Sequence, residues 1–392
     1  MIKSYKVMLH PNNKQETKMF SYVGASRFAY NWSLEQEEDN YKQGESFLSD
    51  GELRKRFTKL KRQEEYFWLN DISNNVTKQA IKDAVTAYKR FFENKSKYPR
   101  FKSRKHSKKS FYVDTAKIKI TNTHVKLEKL SNSKRKNRQK LNYVRLAEKN
   151  RIPADAKYVN PRVTFDGLNW WLSVEVEYED APVIQNNSEG VGIDLGIKDL
   201  AICSDGVTYG NINKTDDKIK KLKKRKRRLQ RSTSRSYEKN KKGESYCKTS
   251  NVIKKEKLML ITSRKITNKR RNYLHQVTTD IIKREPSFIS MENLNVKGML
   301  TNKHLSKAVQ EQGLYEFKRQ IEYKCFWRGI PFVTVDRWFP SSKLCNCCGS
   351  IKKDLKLSDR TYKCSCGYIA DRDYNAALNI RDEGKRLLLQ CS

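Results

Sequence analysis

The chain is short of histidine, with His10, His106, His124, His275 and His304 among 392 residues, and none stands with cysteines in a Cys/His knot. It has no run of 18 or more apolar residues, which argues against a transmembrane helix. Met1-Ile2-Lys3-Ser4-Tyr5-Lys6 lacks the apolar core of a signal peptide. Membrane, secreted and collagen-like classes are therefore excluded. Acidic residues are also scarce: 44 Asp and Glu face 83 Lys and Arg, a formal net charge of +39. Self-repulsion of that size works against a compact state unless a polyanion neutralises it. The cations run through the whole chain, where a membrane-surface protein concentrates them on one amphipathic helix or tail. The balance points to nucleic acid, without separating RNA from DNA. Hydrophobic residues at 37% still allow real cores, and the length suits two to four domains.

Residues 1–10 alternate, with Ile2, Tyr5, Val7 and Leu9 among polar neighbours, which predicts a strand broken by Pro11. Ala25, Phe28, Ala29 and Trp32 then recur on one helix face, and Leu53, Phe57 and Leu60 suggest a second helix. A third is expected from about Ser73, a candidate N-cap, to Phe92. Tyr98-Pro99 closes this helical region, 11–96. To about Asp180 the sequence is β-like, with Val163, Phe165, Leu172, Val174, Val176 and Tyr178 spaced in twos, and basic loops are expected at 102–109 and 134–140. If the first strand joins these, the helices are an insertion into a β-barrel-like domain of residues 1–10 and 97–182.

Residues 181–189 have linker composition. Val191-Gly192-Ile193-Asp194 and Leu200-Ala201-Ile202-Cys203 read as adjacent strands, and Phe288–Met291 and Phe332–Val335 as two more, with a helix near Leu314–Trp327 between them. Strands alternating with helices indicate an α/β domain over 183–392. Residues 214–285 are helical and basic, and nine of the twelve from Lys220 to Arg231 are Lys or Arg. Such a run is a solvated face or a disordered arm. Apolar positions such as Leu222, Leu229, Leu258 and Leu274 favour a pair of packed helices. Candidate nucleic-acid contacts are Lys220, Lys223, Lys224, Arg225, Arg227, Arg228 and Arg231, with Arg100 and Lys102 earlier.

Five of nine cysteines fall between Cys345 and Cys366. Cys345 and Cys348 form C-x2-C, and Cys364 and Cys366 form C-x-C, each pair followed by a glycine, Gly349 or Gly367. Two close thiolate pairs supply the tetrahedral sulfur shell of structural Zn2+, and an Fe–S cluster is the alternative. Cys347 could replace Cys345 or Cys348. Cys203, Cys247, Cys325 and Cys391 are scattered and read as ordinary thiols.

Three acids stand at strand edges or a helix start: Asp194 in G-V-G-I-D-L-G, Glu292 directly after Phe288–Met291, and Asp371 or Asp373 before Asn375-Ala376-Ala377. Carboxylates from such positions can hold two Mg2+ ions about 3.5–4 Å apart for phosphodiester hydrolysis. Each segment alone is weak, since G-I-D-L-G also fits sugar-kinase and actin-like ATPases.

In order, the blocks resemble the TnpB family, transposon-encoded relatives and ancestors of type V CRISPR effectors, with a split RuvC-type nuclease. The resemblance rests on G-I-D-L-G-I-K-D-L-A at 192–201, I-S-M-E-N-L at 289–294, F-P-S-S-K-L-C-N-C-C-G at 339–349, and Y-K-C-S-C-G-Y-I-A-D-R-D-Y-N-A-A-L-N-I at 362–380. Tyr98–Lys102 is similar to the family's boundary between its helical lobe and its β-barrel domain. The implied fold is multidomain α+β: a β-barrel wedge domain with an inserted helical recognition domain, then an RNase H-like RuvC domain with a zinc ribbon over 339–370. The resemblance implies that Asp194, Glu292 and Asp373, with Asp371 as fallback, are the catalytic Mg2+ ligands. It also implies that Cys345, Cys348, Cys364 and Cys366 hold Zn2+, although C-x-C replaces the commoner second C-x2-C.

The implied activity is RNA-guided cleavage of double-stranded DNA beside a short flanking motif, with base pairing reading the target. The expected partners are a guide RNA from the transposon end and target DNA. The expected form is a monomer with one RNA in the prokaryotic cytoplasm, associated with the nucleoid. Lacking a Cys/His knot for a second nuclease, one site would cut the two strands in turn. Alternatives are a CRISPR-associated effector derived from this family, a nuclease-inactive RNA-guided DNA-binding repressor, and an end-joining transposase with an RNase H-like triad.

Overall fold

The computed structural model describes residues 1–131, 140–154, 156–179, 188–243, 245–356 and 359–391. The basic stretch expected as a loop at 134–140 falls, but for Lys140, outside them, as does most of the 181–189 linker. The chain is α+β and divides into two compact units, Met1–Glu179 and Asp180–Ser392. No helix is long and apolar enough to cross a membrane among the described residues.

The first unit is a seven-stranded sheet with helices packed on it. Its strands are β1 (Ile2–His10), β2 (Lys109–Tyr112), β3 (Lys119–Ile120), β4 (His124–Lys126), β5 (Tyr143–Leu146), β6 (Tyr158–Phe165) and β7 (Trp170–Glu177). The order is β2-β6-β7-β1-β5-β4-β3, all neighbours antiparallel, with β2 and β3 at the two edges. The period of two in the sequence is a buried face: Trp170, Leu172, Val174 and Val176 are covered, and the residues between them are half-exposed. β1 lies between β7 and β5, so the chain's first and last strands in this unit share one sheet.

Between β1 and β2 run α1 (Asn13–Lys42), α2 (Asp50–Leu60) and α3 (Asn74–Phe92). Asn12 opens α1 through a capping box with Gln15, Ser49 and Glu52 do the same for α2, and Ser73 caps α3. α1 packs on α3, and both reach β2. Met19, Tyr22, Ala29, Ile81 and Ala84 join Val7, Leu127 and Leu172 in one core, so helices and sheet bury each other's apolar faces.

The second unit is built on five strands: β8 (Val191–Leu195), β9 (Asp199–Cys203), β10 (Thr208–Gly210), β13 (Ile289–Glu292) and β14 (Phe332–Val335). The order is β10-β9-β8-β13-β14. β8, β9 and β10 are antiparallel neighbours, and β13 runs parallel to both β8 and β14. Ile289, Ser290 and Met291 are all buried, as expected of a strand inside a covered parallel pair.

After the short α4 (Ile212–Thr215), two long helices, α5 (Asp217–Lys239) and α6 (Ser250–Lys283), pack along each other. A small hairpin of β11 (Lys241–Lys242) and β12 (Ser245–Tyr246) links them. Short α7 (Val296–Thr301) and α8 (Ser306–Gln312) lead into α9 (Leu314–Arg328), which packs on α6. A second hairpin, β15 (Thr361–Lys363) with β16 (Ile369–Asp371), precedes the final helix α10 (Arg372–Cys391).

Candidate active site and metal centre

β8 and β13 run parallel with Met291 opposite Ile193, so one residue further on Glu292 and Asp194 stand side by side at the carboxyl ends. The third acid arrives on α10, which lies across β8, β13 and β14. Contact is backbone-close: a Cβ on Gly192 would fall 2.2 Å from the Ala377 carbonyl oxygen and 2.4 Å from the Arg381 nitrogen. Ser290 Oγ donates to the Ile380 carbonyl at 2.9 Å and pins the same face. Docked so, α10 brings Asp373 in its first turn to the cleft, about 480 Å3, that Asp194 and Glu292 line.

Burial pushes the Asp194 carboxyl up to about 8, and the neighbouring Glu292 and Asp373 carboxylates push the same way, with Arg372 opposing. Glu292 is also raised by burial, against a hydrogen bond donated by the Ser341 hydroxyl. Asp373 Oδ1 accepts from Arg372 Nε at 3.0 Å and Nη2 at 2.9 Å, and Arg360 approaches its other oxygen at 3.5 Å. Asp371 does something else. It is exposed, and its Oδ1 accepts the N–H groups of Asp373 and Tyr374, which caps α10. It is not among the residues that line the cleft.

Three carboxylates around one cleft, one of them pushed toward its neutral form by burial and then by the other two, are a donor set suited to a hard divalent cation. They line the cleft without closing on a point. Among the described residues, only Cys345, Cys348, Cys364 and Cys366 form a group of three or more His, Cys, Asp or Glu ligands whose donor atoms all lie within 4.8 Å of one another.

In that group Cys345 and Cys366 Sγ lie 3.8 Å apart, and Cys348 and Cys364 Sγ 3.6 Å. Gly349 and Gly367 have φ of +72° and +89°, which let the chain fold back behind each pair. The Cys366 backbone N–H, and after it the Ser350 hydroxyl, push the Cys364 thiol down to about 5. Four sulfurs in this arrangement fit Zn2+ and leave no open position. Cys347 is exposed and outside the group.

Sequence reasoning missed the polar residues that join the cysteine ribbon to α10. Asn375 and Asn379 are buried, four residues apart on one helix face with Ala376, Ala377 and Ile380. Asn375 Nδ2 donates to the Leu344 carbonyl at 2.7 Å, and Asn379 Nδ2 donates to the Ser341 and Leu344 carbonyls, both at 2.7 Å. Two amides on the apolar side of an amphipathic helix are the signal that could have found them, because a buried amide needs partners. Lys198, Ser341, Lys356, Arg360 and Arg372 of the cleft wall were missed as well.

The basic candidates divide. Lys220, Lys224, Arg225, Arg227, Arg228 and Arg231 are exposed along α5, and Arg100 is exposed in the first unit. Lys223 instead turns in to Glu311, its Nζ 2.6 Å from the carboxylate. Lys102 also turns in: its Nζ lies 3.4 Å from the centre of the Tyr30 ring, and burial lowers it to about 8. It lines a cleft with Arg27, Arg104, Lys108 and Arg162, in which Asp83 holds Arg162 through two hydrogen bonds of 2.9 and 3.0 Å.

Three family models match the chain: one described as a helix-turn-helix domain over residues 1–46, one as a probable transposase over 173–303, and one as a Cas12f1-like TNB domain over 315–380. A protein of Escherichia coli (strain K12) named "Putative RNA-guided DNA endonuclease InsQ" is 29% identical, over 99% of this chain and 93% of its own. One from Streptomyces pristinaespiralis, bearing that name without its last word, is 29% identical over 97% of this chain and 89% of its own. The Cas12f1 CRISPR-associated endodeoxyribonuclease of Sulfoacidibacillus thermotolerans is 26% identical over 54% of this chain and 49% of its own. Among solved structures, a Cas12f1–sgRNA–target DNA complex matches in fold with a TM-score of 0.53 at 14% identity, over 97% of this chain and 98% of that one.

Proposed function

We propose, from the premise that this chain belongs to the TnpB family, that it is an RNA-guided DNA endonuclease of a transposable element. The observation that carries the reading is the convergence of Asp194, Glu292 and Asp373, from three distant segments, on one cleft. A nuclease-inactive repressor is disfavoured by the same observation, since all three acids are present there. The order and strand senses of the second unit's sheet support an RNase H-like RuvC domain over 183–392, and the four-cysteine group supports a zinc ribbon over 339–370. The first unit is read as a wedge domain of residues 1–10 and 97–182 with a recognition insertion over 11–96; its sheet, with β2 and β3 as edges, supports the β domain and not the closure of a barrel.

Asp194, Glu292 and Asp373 would hold Mg2+, and Cys345, Cys348, Cys364 and Cys366 would hold structural Zn2+. When bound, the two Mg2+ ions supply activation of water and stabilisation of the leaving oxygen. The chain's own residues do the rest. Lys198, Lys356 and Arg360 on the cleft wall attract the DNA backbone. Ser341 donates a hydrogen bond to Glu292 at the cleft wall. The exposed cations of α5, with Arg100, would hold phosphates of a guide RNA from the transposon end, one RNA to one protein monomer, in the prokaryotic cytoplasm at the nucleoid.

The test is to purify the protein with its bound RNA, sequence that RNA, and assay plasmid cutting. One predominant RNA overlapping the 3′ end of the gene is expected. Cutting should require Mg2+ and disappear in Asp194→Ala, Glu292→Ala and Asp373→Ala, with RNA retained. Recovery of no specific RNA, or full cutting by Asp194→Ala, overturns the reading.

A further inference from the structure

We propose that Ser341 is a positioning residue for Glu292, and that the cysteine ribbon reaches the acid cleft through it. The inference rests on the reading of Glu292 as a cation ligand. Ser341 is 6% exposed, and its hydroxyl donates to Glu292 Oε1. Its own carbonyl is held by Asn379, which also holds Leu344. One primary amide carries two N–H protons, so both donors of Asn379 are committed to this one turn of chain. The turn is closed by Lys343 and Leu344, whose N–H groups both donate to the Pro340 carbonyl at 2.9 Å.

The next residue is Cys345, 1% exposed and a member of the sulfur group. Beyond it Asn346 is tied to the same two asparagines: its N–H donates to Asn375 Oδ1 at 3.2 Å and its amide to Asn379 Oδ1 at 3.2 Å. The segment from Ser341 to Asn346 is therefore stitched to α10 on both sides of a cysteine ligand. α10 carries Asp373, and Ser341 grips Glu292. Seating the ribbon fixes the two acids together. A Ser341 that merely satisfied a buried carboxylate would contribute to stability and leave cation affinity alone.

The two cases separate in a terbium titration of the full, zinc-loaded chain stripped of RNA, with Tb3+ luminescence as probe and Asp194→Ala marking the acid-site signal. Ser341→Ala should weaken Tb3+ binding about 10- to 100-fold, the usual cost of losing a partner that orients a ligand. Zinc content should stay unchanged, and Ser341→Thr should restore affinity by keeping the hydroxyl. In cleavage by the RNA-loaded protein, the Mg2+ half-saturation of Ser341→Ala should rise by a similar factor, with KM for DNA unmoved. Wild type stripped of zinc and dialysed free of chelator should lose Tb3+ affinity as Ser341→Ala does, which tests the link without a substitution. Unchanged Tb3+ affinity in Ser341→Ala, beside a wild type whose signal needs Asp194, overturns the positioning role and leaves the nuclease reading standing. Equal binding by wild type and Asp194→Ala overturns the acid-site reading, and this proposal with it.

Discussion

Gly192 and Ala377 touch through their backbones: no side chain fits between β8 and α10, where an added Cβ would lie 2.2 Å from a carbonyl oxygen. The obstruction is main chain on both sides and cannot swing away as a flexible side chain could. Gly192→Ala should therefore lift α10 off the sheet and cost at least about 3 kcal/mol, the upper end of ordinary overpacking. A lowered denaturation midpoint with weakened DNA cutting is the expected result, and a wild-type midpoint would contradict the close docking.

The cations of α5 should separate into two kinds. Arg225→Gln and Arg228→Gln remove exposed charge, so RNA retention should weaken and the slope of log affinity against log salt should flatten by about one per residue. Lys223→Gln leaves Glu311 without its 2.6 Å partner. That variant should lower the melting temperature with little effect on the salt slope.

Cys345→Ser and Cys364→Ser should each release zinc, measured as metal per chain, and lower solubility, because a four-sulfur shell missing one thiolate no longer holds the ribbon closed. Cys347→Ser should keep zinc at the wild-type ratio, since Cys347 stands outside the sulfur group.

Glu37 of α1 is 5% exposed, its Oε2 accepts the Leu48 N–H at 3.2 Å, and its Oε1 has no partner among the described residues. Burial raises its carboxyl from 4.5 to about 7, against the Leu48 N–H and Arg56 and with the help of Glu52. The folded chain holds this proton where the unfolded chain releases it, so stability falls as pH rises from 4.5 to 7 and the loss is complete above 7. The full effect is about 3 kcal/mol. Glu37→Gln should flatten that part of the pH dependence and raise stability at pH 8, read as denaturation midpoints at pH 5 and pH 8.

Strand β7 and helix α3 were legible because burial writes a period into sequence: Leu172, Val174 and Val176 face one core, and Ser73 caps the helix at its expected start; β13 was legible as a short continuous run, buried from Ile289 to Met291. α1 was legible only around Ala25–Trp32, although it runs for 30 residues, because its buried side includes Gln15, Ser33, Glu37 and Asn40. Those polar residues break the apolar stripe and find their partners in the fold. β3 and β4, of two and three residues, are too short to show any alternation. At the site, cysteine spacing and the acids' place at strand ends were visible, because the chemistry needs those residue types there. Ser341, Asn375 and Asn379 were not, since a serine in a turn and an asparagine in a helix are commonplace until their partners are known. The inward turns of Lys102 and Lys223 were equally hidden, because composition counts a charge without saying what it faces.

α10 has a consequence for synthesis on the ribosome. It follows both other acids and the four cysteines of the sulfur group, and it covers β8, β13 and β14. A nascent polypeptide that has not reached Arg372 has two of the three carboxylates and a sheet left bare where α10 would lie. Premature stop codons upstream of this helix should therefore give products without a complete acidic centre, and translation would act as a safety catch on the finished protein.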